Sequence, residues 1–175
     1  NKKYEGLSVA AVSEERGLHP IDTMSELLIE ENLGVSFVGE VIDEDTLPEF
    51  MAHPLYMVGS DAVMIGDFPS PMAYGCYPMF LSMMVRQDGR MRLEDAIRKM
   101  TSGPAQRLGI HDRGILRDGL FADLVVFDAD VIKPNVSRDD PKALSDGVDY
   151  VIVNGTVVID QGRHTGALAG RALRK

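Results

Sequence analysis

Leu55-Tyr56-Met57-Val58-Gly59-Ser60-Asp61 is an apolar run that ends in a glycine, a hydroxyl and a carboxylate. Apolar residues without alternation are the pattern of a strand buried on both faces, as in a parallel sheet covered by helices. Working outward toward the N-terminus, His53-Pro54 closes a helix, because a residue before proline is pushed out of the α region. Asp43-Glu44-Asp45 suits the start of that helix, where the macrodipole favours negative charge, and Leu47, Phe50 and Met51 supply its apolar face. Before it, residues 35–41 alternate and are rich in β-branched side chains, which predicts a strand. Residues 8–16, closed by Gly17, and a segment opened by Pro20 with Met24, Leu27 and Leu28 read as two helices, the second ended by Gly34. Strands alternating with helices at this spacing indicate βαβ units.

On the C-terminal side, residues 62–90 place five methionines among Pro69, Pro71, Pro78, Gly66 and Gly75. This composition is expected to form a long irregular loop, either functional or a Met-rich packing surface. Leu93, Ala96, Ile97 and Met100 then mark an amphipathic helix, interrupted at Gly103-Pro104, with a further turn ending near Gly109. From residue 111 the period changes to short β runs at 115–116, 124–127, 150–153 and 157–159. Asn154-Gly155 between two of these runs is a strong hairpin signal. Residues 128–147, with two prolines and many aspartates, are expected to loop across the surface of this all-β half.

Composition narrows the function. The formal charge is −9, from 27 acidic and 18 basic residues, which disfavours a nucleic-acid surface. The 45% hydrophobic content over 175 residues suits a globular chain with one sizeable core or two small ones. No apolar run reaches the roughly 18 residues needed to span a bilayer, and no apolar signal-peptide core follows the start, so neither a membrane nor an export route is expected. One cysteine, Cys76, leaves no internal disulfide framework and fits a reducing, cytoplasmic compartment. The first residue is Asn1 and not Met, which fits a partial start.

Three stretches together resemble the amidohydrolase superfamily, and more closely the D-aminoacylase (N-acyl-D-amino-acid deacylase) family within it. The first is Met57-Val58-Gly59-Ser60-Asp61, similar to an eighth barrel strand with its catalytic aspartate. The second is the helix from Leu93 to Ser102, continued through Pro104-Ala105 to Leu108-Gly109. The third runs from Asp112-Arg113-Gly114 through Ala122-Asp123-Leu124, then Val153-Asn154-Gly155, to Gly170-Arg171. The resemblance implies an α/β plus all-β chain: residues 1–110 as the last two βα units of a (β/α)₈ metal-dependent hydrolase barrel, and residues 111–175 as part of a small β-sandwich. It implies hydrolysis of an amide C–N bond with zinc in the parent enzyme.

A whole barrel of this type needs roughly 250 residues. The chain is therefore expected to be the C-terminal fragment of such an enzyme, inactive alone, without tightly bound zinc, and self-associating through exposed barrel edges. Alternatives are a non-catalytic binding or assembly module, or a subunit completing a barrel with another chain. No His-x-His pair occurs, and His19, His53, His111 and His164 stand singly. Asp61 is the expected catalytic residue, a proton acceptor from the attacking water and donor to the leaving nitrogen, and a metal ligand if any residue here is one; its structural alternative is a turn cap. Ser60 and Met72 are expected in the pocket for a small-molecule amide. In the family, an arginine associated with the substrate carboxylate stands where this chain has Met72, which cannot form a bidentate pair.

Overall fold

The computed structural model describes residues 2–35, 37, 39, 46–62, 64, 69–137 and 139–173. It divides into two compact units, residues 1–41 and 42–175.

The first unit is a helical hairpin. Helix α1, Val9–Arg16, begins where the Ser8 hydroxyl accepts the Ala11 N–H and ends at Gly17 in the left-handed region. Helix α2, Pro20–Glu30, carries proline in its first turn, where a missing N–H costs nothing. Val12 and Leu27 are buried beside a polar contact, Ser13 Oγ to Thr23 Oγ1 at 3.0 Å, so the buried hydroxyls satisfy one another. Arg16 closes the unit: its Nη1 and Nη2 donate to the two carboxylate oxygens of Glu30 at 2.8 Å each, and its guanidinium lies 4.8 Å from the centre of the Tyr4 ring. Of the strand expected at 35–41, residues 36, 38, 40 and 41 lie outside the described residues, and Val35, Phe37 and Gly39 belong to no regular element.

In the second unit, α3 is Leu47–Ala52; the acidic residues expected to start it, 43–45, lie outside the described residues. Residues 56–60 run on without joining a ladder, and Leu55 is 79% exposed. The expected fully buried parallel strand is thus not formed, because among the described residues no neighbouring strand supplies its hydrogen bonds. Only Val58 is buried there, with its N–H donated to the Lys99 carbonyl at 3.1 Å.

The long loop expected at 62–90 is also corrected. Residues from 72 onward form helix α4, Met72–Leu81, continued by a π-helical segment, Ser82–Gln87. Pro78 lies inside α4, where it cannot donate to the Tyr74 carbonyl. The apolar positions outweigh that loss: Cys76, Phe80, Leu81 and Met84 are buried together with Met51, Val58, Ala96 and Ile132. Phe80 stacks on Tyr56 with ring centres 6.0 Å apart. Helices α5, Leu93–Met100, and α6, Ser102–Leu108, follow where the sequence places them.

The rest is an antiparallel meander in the order β1-β2-β3-β4, with β1 Leu124–Phe127, β2 Val148–Val153, β3 Thr156–Asp160 and β4 Arg163–His164. Asn154 and Gly155 connect β2 to β3 with φ of 49° and 82°, both positive as a type I′ turn requires. The run expected at 115–116 forms no strand, and Leu116 is 85% exposed. The segment 128–147 is not wholly superficial: Ile132 is buried in the core and Lys133 bridges to Asp146. The Arg86 guanidinium donates to the Ile132 carbonyl at 2.7 Å, fixing this segment to the π-helical turn. Among the described residues no helix is long and apolar enough to cross a membrane.

Candidate active site

Asp61 stands at the C-terminal end of the extended 56–60 segment, exposed, with φ of 47°. A residue with a side chain rarely adopts this left-handed conformation, and such backbone is concentrated where the surrounding structure holds a residue for a task. Ser60 precedes it, half-buried. Met72 is the first residue of α4; its N–H donates to Ser70 Oγ at 3.4 Å and its side chain packs against the core cluster.

What holds the segment in front of Asp61 is Lys99, a charged residue only 7% exposed. Its ammonium donates to the His53 carbonyl and, at 3.3 Å, to the Tyr56 carbonyl, and it lies 5.8 Å from the centre of the Tyr56 ring. Its own carbonyl accepts the Val58 N–H. Burial, and then the Arg98 charge, pull its pKa below the ordinary lysine range, so the two carbonyls are what makes a cation tolerable there. The apolar face of α5 contains the signal for this role: Lys99 is three residues beyond Ala96, on the buried stripe. Sequence reasoning passed over it as one more helix lysine.

The other candidates for chemistry are turned to structural work. The Nδ1 atoms of His19, His53 and His164 accept the backbone N–H groups of Ile21, Leu55 and Gly166. Burial pushes the Cys76 thiol up, away from the reactive thiolate. A cleft of about 380 Å³ opens beside Pro54 over Arg90, Arg92, Arg98 and Lys99, but Asp61 is not among its walls. Among the described residues no three His, Cys, Asp or Glu side chains are grouped to hold a metal ion. A complete metal centre is therefore not assembled from the described residues.

The profile of the amidohydrolase family matches residues 9–159. The chain belongs to the amidohydrolase family. It is 34% identical over 173 residues to D-aminoacylase of Alcaligenes xylosoxydans xylosoxydans, covering 99% of this chain and 35% of that protein. The crystal structure of a D-aminoacylase superposes with a TM-score of 0.83 at 30% identity, over 99% of this chain and 36% of that one. The N-acyl-D-glutamate deacylase of Bordetella bronchiseptica, solved with zinc and a phosphonate mimic of the tetrahedral intermediate, superposes with a TM-score of 0.75 at 29% identity, over 94% and 34% of the two chains. The amidohydrolase chain thus spans about a third of the length of these relatives.

Proposed function

We propose that the protein to which this chain belongs is a cytoplasmic, metal-dependent amidohydrolase that cleaves the amide C–N bond of a small N-acyl amino acid or a related amide. Residues 1–110 are the last part of its barrel, residues 111–175 part of its β-sandwich, and the remaining barrel strands lie on sequence outside these 175 residues. The observation that carries the reading is Asp61: an exposed carboxylate in left-handed backbone, ending an extended segment, where barrel enzymes build their sites. Exposed apolar side chains before, on and after that segment, Leu55, Met57 and Met64, support a covering layer of further barrel. Exposed Val126 and Val157, on one face of the meander, support a second sheet over the first.

In this reading Asp61 accepts a proton from the water that attacks the acyl carbon and returns it to the leaving nitrogen as the C–N bond breaks. Ser60 and Met72 border the substrate. Zinc, present in the Bordetella relative, would act as a Lewis acid in the assembled enzyme, but the described residues do not make up its site, and most ligands belong to the other strands. Methionine at 72 removes a guanidinium partner for a carboxylate, so the preferred substrate is less anionic than an N-acyl-D-amino acid, or its carboxylate is bound elsewhere.

The test is to assay the full-length protein against N-acyl-D-amino acids and their uncharged amide counterparts. Hydrolysis with a preference for the uncharged series is expected, with Asp61→Asn lowering kcat by about 100-fold or more. This chain expressed alone is expected to hydrolyse neither. Full activity in Asp61→Asn would end the assignment of the proton carrier, and ordinary efficiency on the anionic series would rule out the less anionic substrate.

A further inference from the structure

We propose that Lys99 is a positioning residue for Asp61, acting through the backbone and not through the substrate; this rests on the reading of Asp61 given above. The geometry is a three-point clamp. The ammonium holds the carbonyls of His53 and Tyr56, and the Lys99 carbonyl holds the N–H of Val58, so one helical residue fixes the chain at 53, 56 and 58. Asp61 follows only three residues beyond the last of these points.

A cation at this position is costly unless its donors are used. Lys99 is 7% exposed, and its ammonium donates to two main-chain carbonyls of the same short segment, with no carboxylate of the described residues within ion-pair distance. A leucine or methionine would fill the same stripe of α5 without the desolvation of a charge. What lysine adds is direction: two hydrogen bonds from one ammonium set where the carbonyls of 53 and 56 lie, and hence the course of the chain toward Asp61. Tyr56 also stacks on Phe80, so the segment is tied both to the ammonium and to the core of α4.

Arg98, next in sequence, is exposed and is the control for a cation outside the clamp. Displacing a reacting carboxylate by about 1 Å is enough to slow chemistry by about 100-fold while binding persists, so loss of the clamp should act on kcat.

The experiment compares Lys99→Met, Lys99→Arg, Arg98→Gln and Asp61→Asn in the full-length enzyme, with amide hydrogen exchange of Val58 as a second readout. Lys99→Met keeps the aliphatic stem and is expected to lower kcat by at least about 10-fold with KM within a factor of about 2, and to speed exchange at Val58. Lys99→Arg retains donors and charge and is expected to recover most of the loss; Arg98→Gln is expected to change neither. If Lys99→Met does not accumulate as folded protein, the shorter and neutral Lys99→Gln carries the same comparison. Unchanged kcat in folded Lys99→Met or Lys99→Gln, whatever the melting temperature, overturns the positioning role. Unchanged kcat in Asp61→Asn instead overturns the reading of Asp61, and the Val58 exchange then still reports whether the clamp exists.

Discussion

The carboxylate of Asp123 accepts the backbone N–H of Asn154 at 2.7 Å, so the residue before β1 and the turn between β2 and β3 form one hydrogen-bonded unit. The same carboxylate pairs with the Arg113 guanidinium, whose side chain is 11% exposed and stacks 4.7 Å from the centre of the Phe121 ring. Asn154 in turn donates its side-chain N–H to the Ala169 carbonyl at 2.8 Å. The scattered residues that carry the amidohydrolase resemblance, Arg113, Asp123, Asn154 and the tail before Arg171, are thus partners in one network. They are spaced far apart in sequence because each comes from a different segment.

Asp123→Ala removes both bonds and leaves a mostly buried guanidinium with Asp112 as its remaining carboxylate partner. A loss of about 2 kcal/mol is expected, at the low side for a buried pair because Asp123 keeps some solvent contact. Urea unfolding followed at the amide resonances of β2 measures it. A change below the error of the method would mean that the network is decorative.

Two glycines separate conformational from steric cost. Gly155 has φ of 82° and open space around a hypothetical Cβ, so Gly155→Ala is expected to lose only about 1 kcal/mol. Gly147 has φ of 77° and a Cβ there would meet the Ile132 backbone N and Cα at 2.7 Å, which cannot move without shifting the chain. Gly147→Ala is expected to cost about 3 kcal/mol and to expose Ile132 to hydrogen exchange. Equal losses for the two variants would contradict this division.

The hairpin, the helix end at Gly17 and helix α5 were legible in the sequence because each depends on local chemistry: a turn needing positive φ, a glycine free to enter the left-handed region, an apolar stripe at helical spacing. Helix α4 was not, since Gly75 and Pro78 read as breakers, and only the burial of Phe80 and Met84 against α5 and Ile132 outweighs them. The run 55–58 has strand composition but no ladder, which shows that a buried parallel strand is specified by its neighbours as much as by itself. Asp61 was singled out from the motif that contains it; Lys99 was not, because its role lies in two carbonyls that are distant in sequence.

Gly75 tests the account of α4 directly. In a helix, alanine is favoured over glycine by about 1 kcal/mol. Here a Cβ would meet Val136 Cγ2 at 2.6 Å and Pro134 Cβ at 3.3 Å, because the 128–147 segment crosses the helix at this point. Gly75→Ala is therefore expected to destabilise by about 1 kcal/mol despite its better propensity. Adding Val136→Ala should return part of the loss, a positive coupling measurable in a double-mutant cycle. Stabilisation by Gly75→Ala alone would show that the segment is not packed against α4.

The helical hairpin of the first unit should loosen in acid. Hydrogen bonding from Arg16, reinforced by its charge, holds the Glu30 carboxyl below its ordinary range. A group whose folded pKa is depressed contributes stability that is present above its unfolded value and is lost as the pH falls through the folded one, because the unfolded chain then binds more protons. The hairpin is thus expected to lose helix stability as the pH drops from about 4.3 downward, with no such change between neutral pH and the ordinary carboxylate range. Glu30→Gln should flatten that dependence while keeping a neutral acceptor for the guanidinium, and Arg16→Gln should flatten it as well. Helical amide resonances of α1 and α2, followed through an acid titration, separate this unit from the rest of the chain. A titration unchanged by Glu30→Gln would mean that the Arg16 pair contributes nothing that distinguishes the folded carboxylate from the unfolded one.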